Sequence, residues 1–226
     1  KRSWQKPKPW EVEPGMRESG SSNADKAENP LKSRPGVTFS DGTPLDANAV
    51  AKNLDTYVLG NKAQRLPVSE VINNYDHSEV IDPLTVKFFF KKPSPGFLQG
   101  TATIGSGLVS LSTLARNFEA LGDARHIIGS GPFVVSDEKL GREVDLKVRT
   151  DYQWGPKNGS QQGRANLDAI KIIDTPEDSV RIGALLAGQA GALRQVTAYD
   201  EKQAQPHTFP KYAAPTLRNN GLLSSR

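Results

Sequence analysis

The sequence predicts an α/β fold. Two observations carry that expectation: short runs with strict two-residue alternation, such as TVKFFF at 85–90 and VDLKVR at 144–149, and helix patterns with recognisable start signals, such as DANAVAKNLDTY from Asp46 and TPEDSVRIGALLAGQ from Thr175. The chain has 226 residues, 36% hydrophobic, room for one large domain or two small ones.

Residues 1–35 hold five prolines and the polar run GSSNADKAEN, with neither strand nor helix period, and read as an extended N-terminal segment. From Gly36 the pattern sharpens. Val37 and Phe39 alternate with polar neighbours in a short strand, Asp41-Gly42 turns the chain, and Asp46 is placed to cap a helix by accepting from the amides of Asn48 or Ala49. That helix runs to about Tyr57 with Val50, Leu54 and Tyr57 on one face, and Gly60-Asn61 ends it. A hairpin of 78–81 and 85–90 follows around Asp82-Pro83; Val86, Phe88 and Phe90 share a face. Residues 97–118 are ambiguous, and LSTLARNFEAL reads as a short helix.

A second module starts near Arg125, with strands at 132–135, 144–149 and 168–173, and Lys139-Leu140-Gly141 in the first turn. In the next helix, Thr175 is placed as the cap, Pro176 at the first helical position and Asp178 at the box position, with Gly188 as a left-handed stop. Beyond Ala198 the chain is polar and weakly patterned.

Several chemistries lack their residues. There is no cysteine, which removes disulfides, thiol nucleophiles and Cys-ligated metals. His77, His126 and His207 are far apart, none with a helical partner, so no metal site is expected. No Walker or dinucleotide pattern occurs, and no cofactor is called for. Ser106 and Ser130 each sit in Gly-Ser-Gly. Ser130 precedes a strand, the wrong order for a nucleophile elbow, and His126 is the only nearby base in sequence; a hydrolase using either serine stays as the alternative. Net charge is +4, but residues 35–226 hold 21 Lys/Arg against 20 Asp/Glu, and no basic cluster interleaved with aromatics marks a nucleic-acid groove. No apolar run reaches the ~18 residues of a membrane span.

Three ordered blocks resemble the family 5 extracellular solute-binding proteins of ABC importers, which include dipeptide, oligopeptide and nickel receptors. GVTFSDGTPLDANAV is similar to the family's Asp-Gly-Thr-Pro signature. IIGSGPFVV followed by RTDYQWGP looks like its Gly-Thr-Gly-Pro-Tyr and Asn-Pro-x-Tyr-Trp blocks, and LDAIKIIDTPEDSVRIGALLAGQAGAL like the strand and helix that come next. Thr150-Asp151 replaces Asn-Pro, Gln153 is inserted between Tyr152 and Trp154, and Gly191 stands where the family has an acidic residue.

The resemblance implies mixed sheets with flanking helices, a class II periplasmic-binding-protein-like architecture whose second ligand-binding lobe is missing. Residues 36–125 then belong to a smaller lobe, 126–200 to part of the ligand-binding lobe, and 201–226 to a hinge-like tail; the chain is a fragment, an incompletely determined sequence or a shortened relative, since family members are usually much longer. It implies a monomeric, non-enzymatic receptor that binds a peptide or other small molecule and delivers it to a membrane permease. The location implied is periplasmic or extracellular, with a lipid anchor as one mode of attachment. Ile104, Gly105, Ser106, Gly107, Tyr152 and Trp154 are the expected ligand-facing residues. An interaction module without a working cleft is the remaining alternative.

Overall fold

The run Thr85–Phe90 is the spine of the larger part of the molecule, because its alternation buries Val86, Phe88 and Phe90 while Thr85, Lys87 and Phe89 stay half-exposed. The structure, a computed structural model, describes residues 17–20, 28–67, 72–101, 106–156, 161–197, 211–213 and 221–224. In chain order its elements begin with β1 (Arg17–Gly20), β2 (Glu28–Ser33), α1 (Ala47–Leu59), β3 (Tyr75–Asp82) and β4 (Thr85–Phe90). Three single-turn helices follow, α2 (Phe97–Gly100), α3 (Leu111–Leu114) and α4 (Phe118–Leu121). Then come β5 (Phe133–Lys139), β6 (Glu143–Val148), β7 (Ala169–Ile173), α5 (Asp178–Leu186), β8 (Ala192–Val196), β9 (Lys211–Ala213) and β10 (Gly221–Ser224).

Contacts divide the chain into two compact units: residues 1–140 with 144–172, and residues 141–143 with 173–226. The first unit therefore takes in much of the 126–200 stretch that the resemblance assigns to one lobe.

In the first unit, β1, β2, β4 and β3 form an antiparallel sheet in that order. The presence of β2 differs from the reading of 1–35 as an extended segment. ENPLKS has no period of its own; its pairing, Glu28↔Phe89 to Lys32↔Thr85, is supplied by a strand more than fifty residues away. Pro30 pairs with Lys87 of β4 inside this ladder.

Helix α1 lies against β3 and β4 and buries Val50, Leu54 and Val58. Its start is as expected, with Asp46 Oδ1 accepting from Ala49 N at 2.8 Å, and Gly60 ends it at φ +71°. The buried stripe closes on Val58, while Tyr57 borders it. Phe39, Phe88 and Phe97, each 1% exposed, lead a core that also takes in Val37, Tyr75, Phe90 and Trp154. Burial of each large apolar side chain contributes about 1.5–3 kcal/mol. The rings meet edge-on or tilted, Phe88 against Phe97 at 5.3 Å and Phe90 against Phe97 at 4.9 Å.

Val37 and Phe39 are buried, but among the described residues the only ladder there is an isolated bridge, Thr38↔Pro44. The expected helix at 111–121 is broken into α3 and α4, because Asn117 leaves helical geometry to cap the second turn, accepting from Ala120 N at 2.9 Å. A further sheet has the order β5-β6-β7, with Gly141 at φ +68° in its hairpin turn.

In the second unit, α5 buries Ile182 and Leu185 in a small cluster with Leu193. The expected Thr175 cap is not made. Helix geometry begins at Asp178 after Glu177, whose side chain caps nothing, because Arg181 reaches back and donates to the Thr175 and Pro176 carbonyls at 2.8 and 2.7 Å. Those bonds hold the approach extended. Gly188 at φ +71° follows the helix, as expected. Strands β8, β10 and β9 pair antiparallel in that order.

Candidate functional site

The Asp41-Gly42 turn is built by its own side chains. Thr43 donates to Asp41 Oδ1 from both N (3.0 Å) and Oγ1 (2.6 Å), and Gly42 takes φ +83°. Ser112 Oγ adds a bond to Asp41 Oδ2 at 3.1 Å, tying the turn to α3. Partial burial works against ionisation of Asp41, and the bonds from Thr43, Ser112 and Ser110 outweigh it, holding the carboxyl below its usual range. Outside the turn, Ser40 N donates to the Gly129 carbonyl at 2.9 Å, so the loop braces the Gly-Ser-Gly approach to β5.

Helix α1 positions the segment after residue 105. Asn53, wholly buried, accepts from Val109 N at 2.9 Å and donates to Val109 O at 2.7 Å and Ala49 O at 2.8 Å. One turn on, the Tyr57 hydroxyl donates to the Gly107 carbonyl, and burial pushes its pKa up. Ser106 Oγ donates to Gly100 O at 2.8 Å. Two of the expected ligand-facing residues, Ser106 and Gly107, are therefore fixed by backbone-directed bonds; Ile104 and Gly105 lie outside the described residues.

The other two sit on one short segment but play different parts. Trp154 is 7% exposed, and its indole N–H donates to Ser130 O at 2.9 Å. Tyr152 is half-buried beside it, ring centroids 5.0 Å apart and tilted by 58°. Burial raises the Tyr152 pKa, opposed by the positive charge of Arg34. Arg34 Nη1 donates to the carbonyls of Trp154 and Gly155, both at 3.2 Å. Gly155 admits no side chain, since a Cβ there would stand 2.6 Å from the Gln161 carbonyl oxygen and 2.8 Å from Gln162 Cα.

Arg149 completes the arrangement. Its side chain is 5% exposed and spends its planar fork on two partners: Thr38, through O (2.7 Å) and Oγ1 (2.6 Å), and Asp151, through Oδ1 (2.9 Å) and Oδ2 (2.8 Å). The same guanidinium lies 4.9 Å from the Trp154 ring centroid. The Arg149 bonds hold the Asp151 carboxyl below its usual range. Sequence reasoning missed Arg34, Asn53 and Arg149. The last had a faint local signal, an arginine two residues before an aspartate at a strand end; the others bond to partners 50 or more residues away and had none.

His126 and His77 bond close by in the chain; His126 is the base of the hydrolytic alternative. His126 Nδ1 is 2.8 Å from the Ala120 carbonyl, and its own carbonyl accepts from Thr113 Oγ1. His77 stacks on Phe89 at 4.6 Å with Nδ1 2.9 Å from Asp76. Among the described residues no group of three His, Cys, Asp or Glu could hold a metal ion, and no helix is long and apolar enough to cross a membrane.

The solved structures on which this chain superposes include AgaA and AppA. Superposition on AgaA of A. tumefaciens R10, solved with agropinic acid, gives a TM-score of 0.74 at 25% identity, over 87% of this chain and 38% of that one. The oligopeptide-binding protein AppA of Bacillus subtilis, solved with a nonapeptide, gives 0.72 at 22% identity, over 87% and 38%. In sequence, the chain matches the description "Bacterial extracellular solute-binding proteins, family 5 Middle" over residues 11–222, and it belongs to that family. The glutathione-binding protein GsiB of Salmonella paratyphi A is 31% identical over 157 residues, 70% of this chain and 28% of that protein. The matched part thus spans less than a third of the length of that relative.

Proposed function

We propose that this chain belongs to the solute-capturing component of a bacterial ABC importer, which takes up peptides or peptide-like small solutes outside the cytoplasmic membrane and hands them to the permease. The family match across residues 11–222 carries this reading. The named ligands of similar proteins, glutathione and a nonapeptide, support the substrate class. Within the chain, ligand contacts fall to Ser106, Gly107 and the half-exposed ring of Tyr152, while Trp154, buried in the core, supports that ring from behind. Binding requires no covalent step, only surfaces held rigid before the solute arrives.

Isothermal titration and thermal-shift measurements with reduced glutathione, a tetrapeptide and a nonapeptide test the proposal. Saturable binding with a rise in Tm is expected, since a ligand at a hundredfold excess over Kd stabilises by about 2.7 kcal/mol. No heat and no Tm change with any of the three removes the peptide-like solute.

A further inference from the structure

We propose that Arg149 is a positioning residue: by clamping Thr38 and Asp151 with one planar fork, it sets the orientation of the Tyr152–Trp154 ring pair against the turn-bearing 36–45 loop. The part played by Tyr152 in ligand contact rests on the function proposed above; the clamp itself does not.

The geometry is over-determined for a simple surface ion pair. Asp151 is 62% exposed, and such a pair in isolation adds little. Yet the arginine is buried and makes four bonds, two of them to Thr38, 111 positions away. Thr38 lies on the bridge that closes the Asp-Gly loop, Thr38↔Pro44. Asp151 immediately precedes Tyr152. The guanidinium face covers the Trp154 ring, and the ring's own N–H is taken by Ser130. The chain from 149 to 155 is therefore gripped at its start by Arg149 and at its end by Arg34 on two carbonyls. Tyr152 lies between the grips, half-buried against the core and the Trp154 ring.

Lysine cannot replace this fork. It is a point charge with no planar set of donors and cannot serve both partners at once in this geometry. A side-chain contact that orients a binding group by an ångström changes affinity far more than its own bond strength suggests.

The experiment uses the full chain carrying Trp4→Phe and Trp10→Phe, which leaves Trp154 as the sole indole of three. Into it go Arg149→Lys, Arg149→Met and, in case these fail to fold, the milder Thr38→Val, which deletes one acceptor. Trp154 emission and acrylamide quenching are read in the native state, with Kd for reduced glutathione alongside. Expected for Arg149→Lys is a red-shifted, more quenchable Trp154 in a chain whose far-ultraviolet dichroism is native, and a Kd raised about tenfold; Thr38→Val shifts emission the same way by less. Native emission and quenching in all three variants overturn the proposal, including where Tm alone has dropped, since that outcome makes Arg149 a packing residue. Should the parent chain bind no glutathione, the functional reading fails on that probe, while the emission data still decide whether Arg149 holds the ring pair.

Discussion

Asn53, in the middle of α1, satisfies both backbone groups of Val109, accepting its N–H at 2.9 Å and meeting its carbonyl at 2.7 Å. An asparagine inside a helix is a weak helix former. Here its amide does what a neighbouring strand would otherwise do for an irregular segment, and its remaining N–H returns to Ala49 O in its own helix.

Replacing Asn53 by Leu keeps the volume but strands two part-buried backbone groups. A loss of about 1–3 kcal/mol in total is expected, read as a lower urea midpoint with little change in slope. A variant as stable as the parent would show that Val109 finds other partners.

Gly155→Ala tests a close backbone approach. The added methyl meets carbonyl and Cα atoms of Gln161 and Gln162, which cannot swing aside as a side-chain tip could. A cost of about 1–3 kcal/mol follows from overpacking, with the Gly155 N–H bond to Gln162 O lengthened. Alanine at Gly131, which meets nothing within 4 Å, is the matched control.

Acid should loosen the Asp41 turn. Its carboxyl is held below the usual carboxylate range in the folded chain, so the folded state releases the proton more readily than the unfolded one. That stability is fully present above the unfolded pKa, near 4, and is lost as pH falls below it through the folded value. Unfolding midpoints measured from pH 6 down to pH 3 should therefore fall less steeply for Asp41→Asn than for the parent, and equal slopes would refute the assignment.

Asp46→Ala removes the cap of α1. About 1 kcal/mol of stability goes with it, whereas Asp46→Asn or Asp46→Ser retains most. Because α1 carries Asn53 and Tyr57, the capless variant should also speed amide exchange at Val109, measured by hydrogen exchange.

The features legible along the chain are local. The alternation of β4, the Asp46 cap, the Asp-Gly turn and the stops at Gly60 and Gly188 depend on neighbours within a few residues, so their pattern survives in one dimension. The three ordered blocks likewise identified the family before any contact was seen. The candidate site was half legible: RTDYQWGP drew attention as a pair of rings near a turn, but alternation could not say that Trp154 turns inward to Ser130 while Tyr152 stays half-exposed. Tertiary structure alone decided β2, whose polar, proline-bearing residues become a strand only because β4 offers a ladder. It also decided the clamps of Arg34 and Arg149 and the amide of Asn53. Each is a polar side chain that bonds to backbone 56 to 121 positions away. Such bonds leave no periodic trace, because their geometry is set by how the layers pack and not by spacing along the chain.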